Sequence, residues 1–140
     1  MAPSARCRIS SYRRATSGTA ATADLLLDSD VLIDSLRGER LLRIERPASY
    51  SVVTRCEIFA GSGVNEDLAR LLLDALREIA VDRAIAERAG RLRRGSRMRT
   101  PDALIAATAL EHGLALVTRN RRDFERVNGL RVLDPHDLAT

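Results

Sequence analysis

Lysine is missing from this 140-residue sequence; all 23 basic residues are arginine. Tryptophan is missing too, and the aromatic side chains are only Tyr12, Tyr50, Phe59 and Phe124. The core must therefore be built from Leu, Ile, Val and Ala, and a surface that stacks bases on exposed rings is poorly supplied. Cysteine is scarce, with Cys7 in a polar stretch and Cys56 inside a helical pattern. That excludes a disulfide framework or a paired thiolate metal site and reads as free thiols in a reducing compartment. No apolar run approaches the roughly 18 residues that a membrane-spanning helix needs, so no membrane association is expected. What remains is enough for one domain, which at this length buries roughly two thirds of the surface of its unfolded chain.

The net charge of +4 says less than its distribution. Residues 1–23 carry four arginines and no acid, leaving 19 arginines against 19 acids over 24–140. Residues 24–87 hold 8 arginines and 13 acids, whereas 88–126 hold 10 arginines and 4 acids. Such polarity suits a site that gathers cations beside a surface that holds phosphates, and it also suits ordinary solvated helix faces. Residues 1–23 have no periodicity and read as a disordered basic leader ahead of a single domain over 24–140. Arg13-Arg14 is not followed by the apolar stretch of a twin-arginine export signal. The composition fits an organellar transit peptide, but a misassigned start codon is the preferred explanation.

The body alternates between short apolar runs and helical patterns. Leu25-Leu26-Leu27 reads as a strand ending at Asp28, and Val31 to Leu36 as a helix closed by Gly38. Leu41 to Ile44 reads as a helical piece stopped by Pro47. Ser51-Val52-Val53 reads as a strand, followed by a helix over Thr54 to Ala60. Apolar spacing of three and four predicts one amphipathic helix over Asp67 to Ile79 and another over Ala84 to Arg94. Pro101 opens a helix that Gly113 ends. Leu114–Val117 and Leu130–Leu133 are further strands. Strands apolar on both faces, separated by helices, predict an α/β fold with a mostly parallel sheet covered on both sides.

In such a sheet, sites form where strands end and the following helices begin. Asp28, Glu57 and Asp102 all fall there. Each has a structural explanation: Asp28 as a turn residue, Thr54 with Glu57 as a capping box, Asp102 as an acid favoured by a helix N-terminus. Three acids at the same ends of separate elements can also converge. Converging carboxylates repel unless a cation neutralises them, and oxygen ligands without His or Cys pairs select Mg²⁺ or Mn²⁺. After the strand ending at Val117, Asn120 or Asp123 is placed to face the same cleft, Thr118 to orient a water.

The segments LLLDSDVLIDSLRG (25–38), SVVTRCEIFAG (51–61) and TPDALIAATALEHGLALVTRNRRDFERVNGLRVLDP (100–135) resemble the VapC-type toxins, which are PIN-domain ribonucleases. The resemblance covers residues 25 to about 135. It implies a PIN-like three-layer fold, with catalytic acids at Asp28, Glu57 and Asp102. The family's fourth acidic position falls on Asn120, so that either Asn120 contributes an amide oxygen or Asp123 substitutes as a metal ligand. Asp30 is an accessory candidate. The resemblance further implies a cytoplasmic homodimer, inhibition by a VapB-type antitoxin, and cleavage of transfer or ribosomal RNA that shuts down translation.

The expected chemistry is hydrolysis by a metal-activated water. Arg91, Arg93, Arg94, Arg97 and Arg99, which lead into the Asp102 helix, and Arg119, Arg121 and Arg122, which leave the last core strand, are the candidate phosphate-binding residues. Two rivals stand beside this reading. One is a folded but inactive partner-binding domain in which Asn120 marks a decayed site. The other is a haloacid-dehalogenase-type phosphatase, suggested by Asp28-Ser29-Asp30-Val31 and opposed by the lack of a lysine to neutralise phosphate.

Overall fold

Leu25–Leu27 forms β1, and its three residues are buried because both faces of the strand are covered. Leu25 and Leu27 point into one core with Val31, Leu32, Tyr50, Ile58, Leu72 and Leu73. Leu26 points into the other, among Ile85, Ile105, Ala106, Leu116 and Phe124. The alternation defines three layers, with the sheet in the middle. The structure, a computed structural model, describes residues 24–39 and 42–139; the leader lies outside them, as does Cys7.

The elements run β1, α1 (Ser29–Leu36), β2 (Ala48–Ser51), α2 (Val52–Ala60), α3 (Glu66–Asp74), β3 (Arg77–Ile79), α4 (Arg83–Arg93), α5 (Thr100–His112), β4 (Ala115–Val117), α6 (Arg121–Phe124) and β5 (Val132–Leu133), with a closing 3₁₀ turn over Pro135–Ala139. The sheet order is β3-β2-β1-β4-β5, and every pairing is parallel. All strand ends that follow the chain direction therefore lie on one edge of the sheet. The α/β class is as expected, and the sheet is wholly rather than mostly parallel.

Three local readings change. Leu42 to Glu45 is not helical: Leu42 and Ile44 are half-buried while Arg43 and Glu45 are exposed, a two-residue period that marks extended chain. Val52 and Val53 are helical rather than strand, because Ser51 caps α2 by accepting the Val53 N–H at 3.1 Å. Thr54 then sits inside the helix, so the expected capping box with Glu57 does not form. The helix expected to reach Ile79 stops at Asp74, and Arg77–Ile79 pairs with β2 instead. Leu76 and Ile79 continued the helical spacing across the turn, which hid a short edge strand. Gly113 ends α5 as foreseen, with φ of 63° in the left-handed region that costs a side chain dearly.

Candidate active site

Asp28 leaves β1 at the carboxyl edge of the sheet and caps α1, its Oδ1 accepting the Ser29 N–H at 2.8 Å. Its Oδ2 accepts the Thr118 hydroxyl at 2.7 Å from the end of the neighbouring strand. Only 6% of Asp28 is exposed. Burial, then the adjacent charge of Asp30, push its carboxyl from an ordinary 3.8 up to about 7. The hydrogen bonds from Thr118 and Ser29 pull the other way, while Asp102 pushes further up.

Asp30, in the first turn of α1, accepts the Arg119 N–H through Oδ2 at 3.1 Å. Its Oδ1 is buried and accepts no hydrogen bond. Its carboxyl is also raised, by burial first, against the opposing pull of the Arg119 N–H and guanidinium. Across the cleft, the Ser29 hydroxyl bridges Thr54 Oγ1 at 3.1 Å and Glu57 Oε1 at 3.0 Å. That contact ties the second turn of α2 to the start of α1. Asp102, in the first turn of α5, is half-buried. Burial, then Glu57, Asp123 and Asp30, raise its carboxyl, and Arg99 acts against them.

The acids from four elements thus feel one another through a shared cleft. They do not form a finished cage: among the described residues, no three Asp, Glu, His or Cys side chains converge as a ready metal site. The side chains available to a cation are the carboxylates of Asp28, Asp30, Glu57 and Asp102.

The PIN domain family profile matches residues 25–130. The chain belongs to the PIN-domain family. A 34-residue stretch is 59% identical to Ribonuclease VapC1 of Rickettsia felis, covering 24% of this chain and 25% of that protein's length. A toxin–antitoxin complex from Klebsiella pneumoniae contains a chain 33% identical, with a TM-score of 0.68 over 79% of this chain and 97% of that one. The DNA-bound VapBC of Salmonella typhimurium, at 23% identity, shares the fold with a TM-score of 0.67 over 81% of this chain and 99% of its own. The resemblance to VapC-type toxins is borne out by these matches.

Around the cleft of this PIN domain, the remaining candidates divide. Asn120 turns its side-chain amide onto Asp123 Oδ2, so these two satisfy each other at the N-terminus of α6. Thr118 is fully buried and donates its hydroxyl to Asp28, so it supports the carboxylate. Arg91, Arg93 and Arg94 are at the end of α4, with Arg93 Nε donating to Met98 O at 3.3 Å. Arg97 is exposed beyond it, Arg99 stands at the N-cap of α5, and Arg121 lies 3.6 Å from Glu125. Arg122 is exposed on α6. Arg119 is committed elsewhere: its Nε lies 2.7 Å from Asp34 Oδ2.

Ser29 and Asp34 were missed in the sequence. Asp34 carried a readable signal, since it falls four residues after Asp30 and so shares its helix face. Ser29 carried none, because its role depends on where α2 lies.

Proposed function

We propose that the chain is a metal-dependent endoribonuclease of the VapC type, the toxin half of a toxin–antitoxin pair. One observation carries this reading. Asp28, Asp30, Glu57 and Asp102 crowd one cleft at the carboxyl edge of the sheet; burial raises the carboxyls of Asp28, Asp30 and Asp102, and repulsion from neighbouring acids adds to it at Asp28 and Asp102. Evolution of a fold has little reason to assemble uncompensated carboxylates except to bind a cation or a proton. The donor set is all oxygen, and the buried Asp30 Oδ1 has no partner, which fits Mg²⁺, with Mn²⁺ as the alternative.

Asp28 and Asp102 would hold the ion, with Asp30 and Glu57 completing its surroundings. A bound divalent ion supplies an acidified water and offsets charge on the phosphate. Thr118 and the Ser29 N–H fix both oxygens of Asp28. The Ser29 hydroxyl engages one Glu57 oxygen and leaves the other as proton acceptor for the attacking water. In-line attack leaves a 5′-phosphate and a 3′-hydroxyl. The exposed arginines Arg91, Arg94, Arg97 and Arg122 hold backbone phosphates of the RNA, taken to be transfer or ribosomal RNA, so that cleavage stops translation.

The partners in this reading are a second copy and a VapB-type antitoxin, in the cytoplasm. A groove of about 230 Å³, lined by Ile33, Leu36, Ile58, Val64 and Leu68 with Glu57 at its wall, supports the antitoxin by offering an apolar seat that shares one acid with the cleft. No helix among the described residues is long and apolar enough to cross a membrane.

The test is to map RNA 5′-ends after inducing the wild type and Asp28→Asn, and to repeat cleavage of the identified RNA in vitro with Mg²⁺ or a chelator. New 5′-phosphorylated ends that need both Asp28 and the metal are expected. Identical end maps for the two proteins would overturn the reading. They would favour the inactive partner-binding domain, which Asn120 and the unfinished cage also suit.

A further inference from the structure

Asp34 is a charged residue that the chemistry above does not use, yet only 3% of it is exposed. A carboxylate is kept in such a place only when a cation accompanies it. That cation is Arg119, whose Nε lies 2.7 Å from Oδ2 in an ion pair without the alignment of a hydrogen bond. The same arginine gives its backbone N–H to Asp30 at 3.1 Å. The preceding residue, Thr118, gives its hydroxyl to Asp28, and the following one, Asn120, gives its N–H back to Thr118 Oγ1 at 3.0 Å. Two consecutive residues leaving β4, Thr118 and Arg119, are therefore strapped along the start of α1, where Asp30 and Asp34 stand one helical turn apart, and Asn120 is tied to the first of them.

We propose that the Asp34–Arg119 ion pair is a latch that positions the acidic cleft: it holds the β4–α6 connection on α1 and so fixes which oxygen of Asp30 is engaged and which is presented. Its geometry stands by itself; its consequence for catalysis rests on the nuclease reading. Asp34 and Arg119 are positioning residues. With Oδ2 of Asp30 occupied by the Arg119 N–H, Oδ1 is left buried and free. Without the latch, Asp30 keeps the Arg119 N–H and a 3.4 Å contact from the Thr118 hydroxyl, both on the same oxygen, and the Arg119 side chain no longer anchors the connection to the second turn of α1.

The experiment compares the full chain with Asp34→Asn, Arg119→Gln, Arg119→Lys and the double variant Asp34→Asn/Arg119→Gln. The first readout is amide hydrogen exchange in metal-free protein. Exchange at Arg119 and Asn120 should speed up about tenfold in Asp34→Asn and Arg119→Gln, with the amides of β1 and α5 unmoved. The double variant should be no faster than either single, since one interaction is removed once, and Arg119→Lys should return to within about threefold of wild type. The second readout is RNA cleavage, in which kcat should fall about tenfold with KM within about twofold. Should Asp34→Asn alone fail to fold, the double variant, which removes both charges, carries the same comparison.

Unchanged exchange at Arg119 and Asn120 in folded variants, additive effects of the two substitutions, or wild-type kcat in Asp34→Asn would each overturn the latch. Latch-dependent exchange in a chain that cleaves no RNA with any divalent ion would instead overturn the nuclease reading and leave the latch standing.

Discussion

Thr118 and Asp28 are ninety residues apart in the chain and joined by a hydrogen bond of 2.7 Å. Parallel pairing of β1 with β4, in which Leu27 faces Val117, delivers them to adjacent positions at the sheet edge. The bond stabilises the charged form of a carboxylate that its surroundings would rather protonate. Thr118→Val keeps the shape and removes the donor. Asp28 should then titrate higher still, and the acid limb of the pH–rate profile should move to higher pH. Stability should fall by about 1–3 kcal/mol, measured by urea unfolding, because two neighbours are deprived of a buried partner.

Asp28 itself sets a pH dependence of unusual sign for an acid. Its folded value of about 7 lies above the ordinary 3.8, so between those values the folded chain binds more protons than the unfolded one. The metal-free protein should therefore lose stability as pH rises from about 4 to about 7, and the loss should be complete above that. Asp28→Asn should flatten this slope and gain on the order of 1–3 kcal/mol at pH 8, with no gain at pH 4. Unfolding midpoints at the two pH values decide it. Mg²⁺ should raise the wild-type midpoint at pH 8 and leave the Asn variant unmoved.

Ser51 and Glu57 separate capping from chemistry on one helix. Ser51 caps α2 and Glu57 does not. Ser51→Ala should cost about 1 kcal/mol by loss of the cap. Glu57→Ala should leave the metal-free protein as stable as wild type or slightly more so, since it removes a charge that presses on Asp102. It should also abolish cleavage. Thermal unfolding of both variants, with RNA cleavage alongside, gives the contrast; equal destabilisation would return Glu57 to a structural role.

Neutralising Arg91, Arg94, Arg97 and Arg122 together should weaken RNA binding regardless of sequence. The slope of log affinity against log salt should shrink by about 0.7 for each backbone phosphate that the protein no longer neutralises. Titration by fluorescence anisotropy at several salt concentrations measures this. An unchanged slope would leave these arginines as solvated helix faces.

Asp28, Glu57 and Asp102 could be picked out from the sequence because each follows a local signal: the end of an apolar run, the turn after a strand, Thr-Pro before a helix. Their strand and helix assignments were legible for the same reason, most clearly at α5, where Pro101 and Gly113 mark both ends. Boundaries failed where two periods overlapped. Val52 and Val53 look like strand by their branching, yet Ser51 recruits them into α2. Leu76 and Ile79 keep helical spacing into an edge strand. The clamp of Arg119 on Asp34 was not legible, because whether an arginine faces water or a buried acid depends on which strand lies beside which. Composition alone makes Arg119 one more surface cation, and only the parallel pairing of β1 with β4 brings it to its acid.

β1 lies at the centre of the sheet, between β2 and a β4 that is synthesised long afterwards. A nascent chain therefore emerges with Asp28 and Asp30 made but without the strand that pairs beside them, or the Thr118 and Arg119 donors that engage them, until residues 115–119 have left the ribosome. Under the nuclease reading, that order leaves the acidic cleft incomplete until most of the chain has been made. It also makes folding dependent on distant pairing, which is slow.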